Sequence, residues 1–266
     1  PEPLRPRGLG RHRWGRRWRC ARMLDLTQGR QRDALAFGAS SLLMVLFVEG
    51  VKALASSGKC SSVAARKCMH CGAGPIFVLT WPMFTPDGGI IASLVPLAMT
   101  LKFAATGLGI VRNDAEVKSM CRSGDRRELL RGPFIYGSVF VLATLLSWRS
   151  IDGVAAVMAL CLGDGLAEPF GRRFGQGPGG RLPWSRSKSW AGSGAFLVFA
   201  LAGSAAFAAL FYNWGWSGHT LAEIMRPLLV ACAAGALVES LPLRDFDNLV
   251  VPVTVALVLA AAKVRM

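Results

Sequence analysis

Eight blocks of apolar residues, each long or nearly long enough to cross a bilayer as a helix, constrain this chain more than any other feature. They run over residues 33–51, 68–84, 88–110, 133–148, 151–168, 190–212, 224–241 and 249–262; the second, fifth and last are short. Roughly 20 apolar residues span the hydrocarbon as a helix, and shorter stretches serve where flanking side chains snorkel. Barrel strands would be about half this length and would alternate in polarity, which these blocks do not. Composition agrees: 52% of the 266 residues are hydrophobic and mean hydropathy is +0.39, too apolar for an ordinary soluble domain. The expected fold class is all-α, a polytopic helical integral membrane protein with about 7–8 transmembrane helices.

The formal net charge of +15 raises the question of nucleic acid. Ten of the 31 Lys and Arg residues lie in the first 32 positions, however, and the rest sit in short loops between apolar blocks. No separate basic domain and no aromatic-basic stripe is present, so nucleic acid is not an expected partner; the lipid bilayer is. The chain divides into a basic N-terminal arm, residues 1–32, and a polytopic membrane domain, residues 33–266. The arm is Arg-rich, nearly free of acid and without a long apolar stretch, so it is no secretory signal. It matches an organelle transit peptide except that no serine precedes Ser40; we read it as a transit-peptide remnant or a basic tail on an anionic membrane surface.

Seven cysteines imply no disulfide framework. Cys161 and Cys232 lie inside apolar runs, and Cys68 and Cys71 of "CMHC" form half a zinc site with no second half, so small buried helix residues are the expected reading.

Alternating the eight spans places loops 52–67, 111–131, 169–188 and 243–248 on one face. Together they are strongly positive, while loops 85–87, 149–150 and 213–223 on the other face are slightly negative. The positive-inside tendency makes the first face cytosolic or its organellar equivalent. The arm starts on the opposite face, a conflict that its removal after import would resolve. Every polar constellation lies on the basic face: Arg66, Lys67 and His70 at the mouth of the second span; the mixed-charge stretch 112–133, read as a short amphipathic helix; 161–193; and "ESLPLRDFDNLVVP", with Glu239, Asp245, Asp247 and Asn248. Four clusters at one water–lipid boundary point to a single site for a highly charged ligand.

Within it, Asp164 and Glu168 are four residues apart and share a helix face. Near lipid, two such carboxylates are neutralised by protonation or by a cation, which makes both candidates for a metal site. Arg172, Arg173, Arg181, Arg186 and Lys188 follow with no acid among them. We read the Arg pair as the start of a phosphate-binding loop, and the glycines as room for backbone and ligand to approach. Ser189 is placed to N-cap the next helix, whose free N–H groups favour phosphate. Mg²⁺ on one or two carboxylates, with Lys and Arg on the oxygens, is the usual grammar of a nucleoside triphosphate site. No P-loop is present, and the G-x-G-x-x-G match in "GQGPGG" follows no strand. A Ser-His-Asp arrangement is not evident, since His12 lies in the arm and His219 on the opposite face. Glu49 and Lys52 read as a snorkelling pair, while Lys102, deeper in the third span, receives no role.

At these clusters the chain resembles the polyprenol kinase family, and within it the plant and algal phytol kinases. The carrying stretches are "RKCMHCGAG", "EVKSMCRSGDRRELLRGP", "GDGLAEPFGRRFG", "KSWAGS" and "ESLPLRDFDNLVVP", in family order over roughly residues 60–260. The "GDG…FG…KSWAG" segment resembles CTP-using phosphatidate cytidylyltransferases and dolichol kinases more loosely. The resemblance implies Mg²⁺-dependent phosphoryl transfer from CTP to the hydroxyl of an isoprenoid alcohol in a chloroplast membrane, plastid envelope or thylakoid. The implied alcohol is phytol, whose phosphate would feed phytyl diphosphate for tocopherol synthesis. Asp164 matches the GDG aspartate, Lys188 and Ser189 the KS pair, Gly192 the glycine after it, and Asp247–Asn248 the acidic-amide pair. Taking the residues and the resemblance together, we expect the catalytic set to be Asp164, Lys188, Asp247 and His70, with Asp247 or His70 as base. The nucleotide set is Arg172, Arg173, Arg186, Ser189, Gly192 and Asn248, and the metal set Asp164, Glu168 and Asp247. Glu168 stands where aspartate is common in the plant sequences, and Pro169 follows where a helix former is usual. Farnesol, geranylgeraniol or dolichol as acceptor, cytidylyl transfer to a lipid phosphate, and a transporter remain alternatives.

Overall fold

The computed structural model of the chain describes residues 11–121, 124–243 and 246–262; residues 1–10 of the arm, and Asp245, lie outside them. The elements in order are α1 (Arg11–Ser56), α2 (Ser62–Leu79), α3 (Gly89–Leu108), α4 (Asp114–Met120) and α5 (Gly132–Leu146). A long helix follows, made of α6 (Ile151–Met158), a π-helical turn (Ala159–Asp164) and α7 (Gly165–Phe174). Then come β1 (Arg181–Leu182), β2 (Ser185–Ser189), α8 (Trp190–Asn213), α9 (Leu221–Glu239) and α10 (Asp247–Ala261). Each apolar block of the sequence is a helix. Among the described residues, six stretches are long and apolar enough to cross a membrane: Thr27–Ser56, Gly89–Leu108, Arg126–Leu146, Ile151–Phe174, Trp190–Asn213 and Leu221–Glu239. Two more helices join the bundle: α10, apolar but shorter, and α2, which carries Arg66, Lys67 and His70 in its first turns. The molecule is a polytopic helical membrane protein.

Local chemistry sets the helix ends. Ser61 caps α2 by accepting the Ala64 N–H at 3.2 Å, and Asn113 caps α4 through the Glu116 N–H at 3.1 Å. Thr220 and Glu223 form a reciprocal capping box at α9. Each satisfies backbone donors that the first turn leaves open. At the other end of α3, Gly109 takes φ +80°, a left-handed C-cap that a residue with a Cβ resists.

The centre of the bundle is the helix running from Ile151 to Phe174. Of its most apolar window, 67% is buried inside the protein, against 22–44% for the other five long spans. Residues Val154 to Cys161 are nearly or wholly inaccessible, enclosed by Phe77, Val78, Trp81 and Phe211 on one side and Phe196, Leu228 and Val255 on the other. Outer faces show Leu42, Leu46, Ile90, Leu146 and Leu257, as lipid-facing helices should. Because lipid tails are as apolar as these side chains, close fit and small residues, more than hydrophobic transfer, hold such helices together. The fit is visible at Gly163, where a Cβ would stand 2.8 Å from Phe196, and at Gly203, where it would strike Leu162.

Two local features depart from the sequence reading. The fifth span does not end at Glu168; it continues through Pro169 to Phe174, so Arg172 and Arg173 form its last turn and not a loop. The stretch read as a phosphate-binding loop folds instead into an antiparallel hairpin, with Arg181 opposite Ser189 and Leu182 opposite Ser185.

Candidate active site

The basic-face loops meet through two linked constellations. In the first, α2 packs on α7 as a pair of rungs. Lys67 Nζ lies 2.7 Å from Glu168 Oε2, and His70 Nε2 lies 3.3 Å from Asp164 Oδ2. Lys67 and His70 are one helical turn apart, as are Asp164 and Glu168, so one face of each helix carries both contacts. His70 Nε2 is also 2.9 Å from the Leu160 carbonyl, inside the π turn. A carbonyl oxygen only accepts, so Nε2 carries the proton and Nδ1 is the basic nitrogen. Tyr136 closes the other side of His70: its hydroxyl donates to the His70 carbonyl at 2.5 Å, and its ring lies 4.6 Å from the imidazole. π turns inside α-helices recur at functional sites, and here the turn supplies the carbonyl that fixes His70.

The second constellation joins the hairpin to the ends of α9 and α10. Lys188 Nζ is 2.6 Å from Glu239 Oε1 and 3.4 Å from Asp247 Oδ2. The other Glu239 oxygen accepts the Ser193 hydroxyl at 3.3 Å, and Asp247 Oδ1 accepts the Asn248 N–H at 2.9 Å. Burial alone would lower the Lys188 ammonium, but Glu239 and Asp247, with Asp164 adding to them, hold it above the ordinary lysine range. It is a fixed cation at neutral pH. The same field links the two constellations, because Asp164 acts on Lys188 and on Asp247.

The remaining expected residues take distinct places. Glu168 is committed on both oxygens, to Lys67 and to Arg172 Nη2 at 2.6 Å. Arg172, Arg173 and Arg186 are exposed on the basic face. Ser189 does cap α8, accepting the Gly192 N–H at 3.1 Å, so that N–H is already spent. Gly192 is buried where α8 crosses α7: a Cβ there would sit 3.5 Å from Gly171 Cα and 3.1 Å from the Ala167 carbonyl. The first two glycines of "GDGLAEPFGRRFG" likewise face protein, Gly163 against Phe196 and Gly165 against His70 and Cys71. They allow the close approach of neighbouring helices, the backbone half of the expectation for them. Arg66, Lys67 and His70 stand in the N-terminal half of α2, at the basic end of that span, and Arg66 donates to the Cys121 carbonyl at 3.2 Å.

Lys102 finds its partner in the buried Glu116 of α4, at 2.8 Å, which pins the amphipathic loop helix to α3. Glu49 and Lys52 pair at 2.8 Å as read. Sequence reasoning placed Glu239 in a cluster but gave it no role, and it missed Ser193 and Tyr136. Tyr136 had a signal, being one of only two tyrosines in the chain and lying in an apolar span.

A metal must fit these donors without a protein cage. Among the described residues, no group of three or more His, Cys, Asp or Glu gathers in metal-binding fashion. Asp164 and Asp247, partly exposed carboxylates in each other's field, suit Mg²⁺, which takes one or two carboxylates and completes its shell with water and phosphate. Glu168 suits it less, because both its oxygens already face cations.

Known proteins resemble the chain over most of its length. A farnesol kinase, chloroplastic, of Arabidopsis thaliana is 35% identical over 230 residues, 85% of this chain and 74% of that protein. A probable phytol kinase 2, chloroplastic, of Oryza sativa subsp. japonica is 36% identical over 230 residues, 85% of this chain and 73% of that protein. Phytol kinase 1, chloroplastic, of Arabidopsis thaliana is 33% identical over 202 residues, 74% of this chain and 65% of that protein. No family model and no solved structure matches the chain.

Proposed function

The chain belongs to the phytol and farnesol kinase family, and on that premise we propose that it transfers the γ-phosphoryl group of CTP to the hydroxyl of phytol. It is an isoprenoid-alcohol kinase of a chloroplast membrane. Its product, phytyl phosphate, would feed phytyl diphosphate for tocopherol synthesis. The single observation that supports the reading best is the Lys188 cation held between Glu239 and Asp247 beside Asp164, on the face where the basic loops converge.

Phosphoryl transfer is mostly positioning and charge stabilisation. Asp164 and Asp247 would hold Mg²⁺, which when bound offsets charge on the triphosphate. Lys188 contributes the fixed positive charge, while Arg172, Arg173 and Arg186 attract the nucleotide to the face. Ser189, Gly192 and Asn248 act on the scaffold: Ser189 and Gly192 fix the start of α8, and Asn248 orients Asp247 through its N–H. The alcohol oxygen attacks the γ-phosphorus, the β–γ bridging bond breaks, and CDP leaves. His70, anchored through Nε2–H, takes the hydroxyl proton on Nδ1. The prenyl chain lies between helices in the bilayer, with only its hydroxyl in the polar layer.

Membranes carrying the protein, given γ-labelled CTP and phytol, should form labelled phytyl phosphate. Asp164→Asn should lower the rate at least about a hundredfold, the scale of losing one preorganised charge interaction. Full activity in that variant would remove the metal assignment, and faster labelling from ATP would remove CTP as donor. A second acceptor has equal support among the relatives: a farnesol kinase and a probable phytol kinase 2 each cover 85% of the chain, at 35% and 36% identity. Competition between farnesol, geranylgeraniol and phytol ranks the acceptors. Release of pyrophosphate in place of CDP would indicate cytidylyl transfer.

A further inference from the structure

Glu239 is 3% exposed, at the last residue of α9. A carboxylate so enclosed is costly unless a cation and further hydrogen bonds satisfy it. It has both: Lys188 Nζ at 2.6 Å on one oxygen and the Ser193 hydroxyl at 3.3 Å on the other. The Lys188 contact to Asp247 is much longer, 3.4 Å, and Asp247 is the more exposed carboxylate. Lys188 is thus gripped from the protein side and only loosely engaged on the open side. Its hairpin is tied to the same end of α9 a second time, where Trp184 Nε1, in the turn before β2, donates to Ser240 Oγ at 3.2 Å.

We propose that Glu239 is a positioning residue for nucleotide binding: with Ser193 orienting it, it holds Lys188 at the triphosphate site while leaving Asp247 free to exchange the lysine for another partner. This rests on the assignment of Lys188 to the nucleotide site. The inequality of the two contacts is the point. A lysine shared equally between two carboxylates would lock Asp247 in an ion pair. A lysine anchored mainly by the buried carboxylate keeps its charge in place when Asp247 turns to a new ligand. A charge-assisted hydrogen bond of this kind governs where the ammonium sits more than whether the helices pack.

The test is a double-mutant cycle on detergent-solubilised enzyme, measuring KM for CTP, KM for the alcohol and kcat. Glu239→Gln should raise KM for CTP about tenfold, the worth of one charge-assisted hydrogen bond, with the alcohol KM unchanged, and Glu239→Asp should recover part of the loss. Adding Glu239→Gln to Lys188→Met should change nothing further. Should Glu239→Gln not fold, Ser193→Ala keeps the ion pair and should raise KM for CTP by a smaller factor in the same pattern. Trp184→Phe, which cuts only the other tie of the hairpin, should leave KM for CTP in place. Multiplying effects in the double variant, or equal changes in both KM values, would overturn the proposal. Lys188→Met with an unchanged KM for CTP would instead remove the nucleotide assignment on which it rests.

Discussion

His70 shows how a single side chain acquires a role from its surroundings. Leu160 and Asp164 take its Nε2–H side and the Tyr136 ring packs against it at a tilt, so the imidazole is held in one orientation with Nδ1 as its basic atom. General-base assistance is worth about 10²–10⁴-fold when the proton moves in the transition state, and a loose phosphoryl transfer belongs at the lower end. His70→Gln should therefore lower kcat about a hundredfold with KM for CTP nearly unchanged, measured by steady-state kinetics. A fall of less than tenfold would mean that His70 only orients Asp164. The sequence made Asp164, Lys188 and Asp247 legible, because charges near apolar runs stand out locally. It could not show that Glu168 is spent on Lys67, or that Glu239 grips Lys188. The Lys67 and Lys188 contacts join residues 101 and 51 positions apart and leave no trace in local pattern, whereas the i,i+4 spacing of Glu168 and Arg172 was readable.

The helices themselves were legible for the same reason in reverse. Hydropathy is a local signal, and each of the eight apolar blocks overlaps a helix, although α1 begins 22 residues before its block and the fifth helix runs six residues past its own. The hairpin at Arg181–Ser189 was not, since "RLPWSRSKS" has neither a β-branched residue nor apolar alternation to mark strands. Its shape comes from what it packs against. Ser189 sits at the crossing of α7 and α8, where Gly171 and Gly175 leave room for it: a Cβ on Gly171 would fall 2.8 Å from Ser189 Oγ. Gly171→Ala should thus strain the crossing by about 1–3 kcal/mol, against a helix-propensity gain of about 1 kcal/mol. The net result is a lower thermal midpoint in detergent and a misplaced Lys188 next door. Gly177→Ala, with no atom within 4 Å of the new methyl, should stay within about 0.5 kcal/mol of the parent. Equal midpoints for the two variants would mean that α7 and α8 do not depend on this close approach.

At the scale of the molecule, contacts between loops sort the two ends of the bundle. On one end Arg66 reaches the Cys121 carbonyl, Lys67 reaches Glu168, and Lys188 reaches Glu239 and Asp247. On the other, Asp33 accepts from Thr85, Trp148 donates to the Pro86 carbonyl, and Arg149 donates to the Phe84 carbonyl while stacking 3.9 Å from the Trp216 ring. These are the two loop sets that alternation of eight spans places on opposite faces. The proposed site lies at the basic end, and the other end is a knot of tryptophans of the kind that anchors at membrane interfaces. With the proposed site there, the nucleotide would come from the basic side, since a polyanion does not cross the hydrocarbon, whereas the alcohol would arrive within the bilayer. Sealed vesicles carrying the protein with its basic face outward should phosphorylate membrane-dissolved phytol from added CTP without detergent. Vesicles of the opposite orientation should do so only after permeabilisation. Activity of equal size in both sealed preparations would place the nucleotide site elsewhere than at the Lys188 end of the bundle.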